Sequence, residues 1–390
     1  MTAAPTRTSA TFLPPVMEAR RWISGVSFPP ERPLINVSQA APVAPPPAPL
    51  VAAMAEALER TETHLYGPVL GLPSLRARIA ADWSAIYGGT IRESQVAITA
   101  GCNQAFCATL AALTGEGDEV ILPTPWYFNH KMWLDMTGVR AVALPCEADF
   151  LPDPERAATL ITDRTRAIVL VTPNNPTGRE YPPELIAAFR DLCRDRGLRL
   201  IVDETYKDFH SATGAPHDLF TDPDWDDTLV QLYSFSKAYR LTGHRTGAIV
   251  TSPALLAEIE KFQDTVAICA PQLGQIAALW GMENLGEWLA GERVEILTRR
   301  AAMEAEADRL AQAGWQLHSV GAYFAYLSQG MGVSSAELAP DLVRRAGVLM
   351  LPGTMFMPVS DASGQGQMRV AFANLDSAGI AGLVDRLVAL

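Results

Sequence analysis

Between residues 96 and 250 the chain alternates short, almost uninterrupted apolar runs with longer stretches of helical periodicity. The runs Val96–Ala100, Glu119–Pro123, Ala141–Pro145, Ala167–Thr172, Arg199–Asp203, Leu229–Tyr233 and Gly247–Val250 read as strands. Gln104–Leu113 and Pro183–Arg196 read as helices between them. A strand with no polar face is one covered on both sides, so the pattern predicts a mostly parallel α/β sheet between helices. Ligands in such sheets bind beyond the carboxyl ends of the strands, which gives weight to residues just past each run.

The pattern changes on either side of this region. Ala41–Pro49 carries five prolines and reads as a stiff extended connector, followed by an amphipathic helix from Leu50 to Arg60. After Pro253, long helical stretches (Leu255–Ile268, Gln272–Glu283, Trp288–Ala313) lead to short strands at Gln316–His318, Tyr323–Ser328, Val348–Leu351 and Met368–Ala373. A last helix is expected over Ser377–Leu390. The expected division is an arm at 1–49, a large domain at 50–283 and a smaller α+β domain at 284–390.

With 390 residues, 48% hydrophobic and 19% charged, the chain is long enough for two cores and excludes disorder or coiled coil as a description. Its net charge of −12 argues against nucleic acid as a main partner, though not against a local basic pocket for a small anion. No stretch reaches the 18 or so apolar residues of a membrane span. The proline-broken first 20 residues do not read as a secretory signal. The five cysteines include no C-x-x-C pair, which suits a reducing, cytoplasmic setting without a zinc site.

The densest chemistry lies in Ser234-Phe-Ser236-Lys237-Ala-Tyr-Arg-Leu-Thr-Gly-His-Arg245-Thr-Gly247, directly after a predicted buried strand. A partly desolvated lysine beside another cation has a lowered pKa and serves as an amine nucleophile. Hydroxyls and an arginine suit a phosphate, and glycines allow close backbone approach. Four other segments also follow strand ends: Gly101-Cys102-Asn103, Pro125-Trp-Tyr127-Phe-Asn-His130, Pro173-Asn-Asn175-Pro-Thr-Gly178 and Asp203-Glu-Thr-Tyr206. The first joins a strand to a helix, whose free amides and dipole attract anions. Taken alone, each segment also has a plainer reading as a turn, a helix cap or a packing residue.

Together and in this order, the segments resemble fold-type I pyridoxal-phosphate enzymes, in particular the class I/II aminotransferases related to aspartate aminotransferase. The resemblance spans residues 66 to 369. It implies a large domain built on a mostly parallel seven-stranded sheet and a small α+β domain made from both chain ends. It also implies pyridoxal 5′-phosphate as cofactor, joined to Lys237 as a Schiff base, with Ser234, Arg245 and Ser236 on its phosphate together with Gly101, Cys102 and Asn103. Cys102 and Asn103 depart from the family's commoner choices, so only their backbone contribution carries over. Asp203 would pair with the pyridine nitrogen, which catalysis needs protonated, and His130 matches a position that supports that aspartate. Tyr206 and Asn175 would hydrogen-bond the ring's phenolic oxygen, and Tyr127 would stack on the ring, with Trp126 and Phe128 as alternatives if the register slips by one. Arg369, in Met368-Arg-Val-Ala-Phe-Ala-Asn374, would hold the α-carboxylate of the substrate, with Asn175 beside it. Tyr66, in Tyr-Gly-Pro-Val-Leu-Gly71, would reach the phosphate of a neighbouring subunit in a homodimer.

The implied reaction is ping-pong transfer of an amino group from an α-amino acid to a 2-oxo acid, with β-elimination by a carbon–sulfur lyase of the same fold as the alternative. A cofactor-sensing regulator fits poorly, because it would carry a DNA-binding module ahead of the large domain. The motifs do not reveal side-chain specificity. A second carboxylate would call for another cation, and none of Arg21, Arg32 or Arg240 stands out by motif. Phe12, Trp22 and Trp126 are candidates for an apolar pocket wall.

Overall fold

In a computed structural model residues 6–390 are described. In chain order the strands are β1 (Ile35–Asn36), β2 (Val96–Thr99), β3 (Glu119–Thr124), β4 (Arg140–Pro145), β5 (Thr165–Val171), β6 (Arg199–Asp203), β7 (Leu229–Ser234), β8 (Gly247–Val250), β9 (Trp315–Gly321), β10 (Phe324–Gln329), β11 (Val348–Leu349), β12 (Leu351–Pro352) and β13 (Gln367–Val370). The first four helices are α1 (Pro15–Trp22), α2 (Ala48–Ala57), α3 (Pro73–Tyr87) and α4 (Cys102–Leu113).

Seven strands form one sheet in the order β2-β8-β7-β6-β5-β3-β4. β8 runs antiparallel to both neighbours, and the other pairings are parallel. Successive residues of a strand point to opposite faces, and the packing follows that rule. Ile98, Ile168, Leu170, Leu200 and Val202 enter one apolar cluster, while Ala97, Val169, Ile201, Val230 and Ile249 enter another on the far side. Each valine, leucine or isoleucine among them contributes about 1.5–3 kcal/mol by leaving water. The apolar runs of the sequence are therefore a sheet with two buried faces.

A second sheet, β12-β13-β10-β9, is antiparallel and shares an apolar cluster with residues of the helices Ser335–Ala346 and Ser377–Val388. Here the structure corrects several expectations. Val348–Leu351 is two strands: β11 pairs with β1, and past Met350 β12 pairs with β13. The chain changes partner at that residue, which a local apolar run cannot reveal. The Met368–Ala373 strand stops at Val370, and Phe372–Asn374 turns as a short 3-10 helix. The helix expected over Trp288–Ala313 is broken at Glu306. The proline-rich connector ends early, because α2 begins at Ala48 with Pro49 in its first turn, where a missing amide costs no hydrogen bond.

Candidate active site

A cavity of about 500 Å³ opens at the carboxyl ends of β5, β6 and β7. Its walls bring together Cys102, Asn103, Tyr127, Asn175, Asp203, Tyr206, Ser234, Ser236, Lys237, Arg245 and Arg369, residues scattered over more than half the chain. Gly101 lies immediately behind, at φ +88°, and a Cβ there would stand 2.2 Å from Arg245 Nη2. Tyr66 is not among the lining residues; it is 78% exposed.

The β-strand register explains much of this gathering. Val171 and Asp203 are paired neighbours at the ends of β5 and β6, and Ser234 closes β7. The Ser234 hydroxyl caps the one-turn helix Phe235–Ala238 by accepting the Ser236 amide hydrogen at 3.3 Å, and this turn carries Lys237. The Asn175 turn is held by its neighbour: Asn174 Oδ1 accepts from the Thr177 amide and hydroxyl at 3.0 and 2.8 Å. That leaves the Asn175 side chain to accept from Arg369 Nη1 at 2.9 Å. Gly178, at φ +75°, closes this turn against the second sheet, where a Cβ would meet the Phe324 carbonyl oxygen at 2.5 Å.

Asp203 is 3% exposed. Burial alone would raise its pKa, but the His130 hydrogen bond and charge, with Thr205, outweigh burial and hold the carboxyl below its ordinary value. His130 Nε2 lies 3.3 Å from Oδ2, and the Thr205 amide and hydroxyl donate to Oδ1 at 3.0 and 2.7 Å. The His130 ring is itself stacked on Phe106 at 3.8 Å. The Cys102 thiol also donates to Asp203 Oδ1, at 3.6 Å; burial first, and the Asp203 charge second, push its pKa up, so it stays protonated. The next residue, Glu204, faces the opposite way into a buried group with Tyr87, Gln231 and His217. Its carboxyl is likewise held low, by His217 foremost, against the effect of burial.

Lys237 is lowered to about 8 by burial, then by the charges of Arg245 and Arg369. Its ammonium donates to the Ala40 carbonyl at 2.6 Å. Arg369 is 2% exposed, lies 5.0 Å from the rings of both Phe324 and Phe356, and donates through Nη2 to the Ser38 carbonyl. Burial lowers it to about 10, against the tyrosines around it, so it remains a cation at neutral pH. Its Nε is buried without a partner.

These groups suit pyridoxal phosphate on their own chemistry. α4 starts at Cys102 behind the N-cap Gly101, which offers no side-chain cap, and Arg245 and Ser236 stand together at 3.2 Å on the same cavity. Free amides, a cation and two serine hydroxyls are a phosphate-binding set. An anionic carboxylate, a lysine near neutrality and an aromatic wall complete the requirements of the ring. Tyr127 is that wall: its hydroxyl donates to Asn103 Oδ1 at 3.3 Å and accepts from Asn129 at 2.9 Å. Trp126 instead lines a small cavity on the other side, and Phe128, which also lines the main cavity, packs on Phe356.

Phe12, Trp22 and Trp126 do not line the main cavity, so the apolar wall expected of them comes from Val16, Met17, Phe128 and Phe324. Arg240 is neutralised by a two-pronged pair with Glu292 at 2.7 Å, and Arg32 donates to the Arg345 carbonyl. Sequence reasoning missed Thr205, Gln39, Ala40 and Arg20. Thr205 had a local signal, a hydroxyl two residues past a strand-terminal acid. The others reach the cavity only through long-range pairing.

An α/β fold with a lysine, a buried carboxylate and an anion-binding set at the strand ends defines a pyridoxal-phosphate enzyme. The profile described as Aminotransferase class I and II matches residues 32–387, and the chain belongs to this family. It is 33% identical over 321 residues to the aromatic aminotransferase ISS1 of Arabidopsis thaliana, covering 80% of this chain and 77% of that protein. It is 31% identical over 353 residues to the valine–pyruvate aminotransferase of Mycobacterium tuberculosis, covering 87% of each. The aspartate aminotransferase of Thermus thermophilus with maleate superposes with a TM-score of 0.88 at 22% identity, over the full length of both chains. The chain is a pyridoxal-phosphate-dependent aminotransferase of fold type I.

Proposed function

We propose that Lys237, Asp203, Tyr206, Asn175, Tyr127, Ser234, Ser236, Arg245 and the backbone of 101–103 hold pyridoxal 5′-phosphate, and that Arg369, with Asn175, holds the α-carboxylate of an amino acid. When bound, the cofactor supplies an electron sink for the electron pair left on Cα after deprotonation. Asp203, kept anionic by His130 and Thr205, retains the proton on the ring nitrogen. Lys237, lowered to about 8, is a base close to working pH: its Nζ takes the Cα proton and returns it on the cofactor side. The Arg369 fork fixes the carboxylate, which turns the Cα–H bond toward that amine. Tyr206 and Asn175 donate to the phenolic oxygen of the ring, and Tyr127 covers its face. Departure of a 2-oxo acid before the second one enters makes the kinetics ping-pong.

The observation that carries this reading is the meeting, in one cavity, of a lysine pulled toward neutrality, a buried carboxylate held ionised and an uncapped helix start beside Arg245. Lys237→Ala is expected to lose the visible absorption band of covalently held cofactor and all measurable transamination. A Lys237→Ala enzyme that transaminates at the parent rate would refute the assignment. No observation favours elimination over transfer.

The exposure of Tyr66 away from its own cavity supports a homodimer in which it reaches the partner's phosphate. We place the arm, large domain and small domain at 1–49, 50–283 and 284–390. Five free thiols support a cytoplasmic setting, and no helix of the described residues is long and apolar enough to cross a membrane.

A further inference from the structure

The two oxygens of Asp203 are unequally occupied. Oδ1 accepts from the Thr205 amide and hydroxyl at 3.0 and 2.7 Å and from the Cys102 thiol at 3.6 Å. Oδ2 faces one protein donor among the described residues, His130 Nε2 at 3.3 Å. A carboxylate offers about two acceptor sites on each oxygen. Three contacts therefore fill Oδ1, while Oδ2 keeps a free place on a residue that lines the main cavity. An aspartate needs such partners to hold one pose, because rotation about the bond to its planar carboxylate has a broad minimum.

The donors on Oδ1 come from two distant parts of the chain. Thr205 lies in the turn just after β6, whereas Cys102 opens α4, 101 residues before Asp203. Gly247, the first residue of β8, lets that helix start settle against the sheet: a Cβ there would stand 2.7 Å from the Cys102 amide nitrogen. The thiol is 8% exposed and keeps its proton, since burial first and the Asp203 charge second raise its pKa. A buried, protonated thiol is a poor nucleophile and a hydrogen-bond donor. We infer that the Cys102 side chain is a positioning residue for Asp203: with Thr205 it occupies Oδ1 and leaves Oδ2 as the oxygen presented to the ring nitrogen of the cofactor. The sequence pointed only to the backbone amide of Cys102; its side chain then has a second role. This inference rests on the site reading above.

The test has one readout that needs neither cofactor nor turnover. The infrared S–H stretching band falls in frequency when a thiol donates a hydrogen bond. A difference spectrum between parent and Cys102→Ser apoenzymes isolates this thiol from the other four. Its band is expected below that of a free thiol, and is expected to rise in Asp203→Asn, where the acceptor loses its charge. The second readout is the kinetics of the holoenzyme. A weak S–H···O bond is worth about 2- to 5-fold, so Cys102→Ala is expected to lower kcat by that factor at unchanged KM, and Cys102→Ser, which restores a donor, to recover it. Thr205→Val removes a stronger donor and is expected to cost about 10- to 100-fold in kcat, with Thr205→Ser recovering most of it. In an Asp203→Asn background Cys102→Ala is expected to add nothing, because its effect runs through the carboxylate. A free-thiol band in the parent, a band unmoved in Asp203→Asn, an undiminished kcat in Cys102→Ala, or a loss that persists in full beside Asp203→Asn would each overturn the inference. Failure of the underlying site reading looks different: the apoenzyme would show the lowered S–H band yet take up no pyridoxal 5′-phosphate.

Discussion

Replacing Asp203 by asparagine removes one charge and almost no volume. The Thr205 amide and hydroxyl, which donate to Oδ1 at 3.0 and 2.7 Å, keep an acceptor when the new amide oxygen takes that place. The nearest apolar packing is unchanged, and the groups proposed to hold the phosphate, Ser234, Ser236 and Arg245, lie on other elements. Cofactor retention and the urea midpoint are therefore expected to move little. What disappears is the partner of a protonated ring nitrogen. Opposite charges about 4 Å apart at an effective dielectric of about 20 attract by about 4 kcal/mol. At about 1.4 kcal/mol per decade, this is roughly a thousandfold. We expect kcat for Asp203→Asn to fall by about that factor, and single-turnover stopped-flow absorbance of the amino-acid half-reaction to show the same fall in the chemical step. An Asp203→Asn enzyme within tenfold of the parent, with cofactor fully bound, would mean that the carboxylate does not govern ring protonation.

Two further outcomes follow from the same geometry. Burial and the neighbouring arginines lower Lys237 to about 8, so its amine is neutral above that pH and protonated below it. The rate at which apoenzyme takes up pyridoxal 5′-phosphate should thus rise up to about pH 8 and level off near pH 9; a rate still climbing at pH 10 would contradict the lowered value. Gly101→Ala puts a Cβ 2.2 Å from Arg245 Nη2 and holds a non-glycine residue at φ +88°, ψ 166°, a conformation costing roughly 1–3 kcal/mol. Cofactor affinity, measured by fluorescence titration of the apoenzyme, is expected to weaken about tenfold, and an unchanged affinity would show that Arg245 and the loop are not a shared cradle.

The large sheet was legible because its strands are apolar on both faces and need no partner to be recognised. The chemistry at its edge was legible for a related reason. Asp203, Ser234 and Asn175 stand at or just past strand ends, where topology alone makes a site. The second layer was harder. β11 and β12 are two residues each, and the difference between them is the partner they choose: for β11 a strand more than 300 positions back, for β12 one fewer than 20 positions ahead. α1 was not recognised as a helix, lying as it does behind Pro14 and Pro15, yet it supplies Val16, Met17 and Arg20 to the cavity. Gln39 and Ala40 look like connector residues. They matter because Asn374 grips the segment, donating to the Asn36 and Gln39 carbonyls and accepting from the Ala41 amide.

The pairing of Ile35 with Val348 has a consequence for how the molecule is made. A ribosome adding about 5–20 residues per second releases the amino-terminal strand tens of seconds before its mate exists. The large sheet is complete once Val250 has emerged, whereas α1, which packs on β12 and the Ser335–Ala346 helix, must wait. Nascent chains therefore carry a finished floor and an unroofed pocket until residues 335–352 have been made.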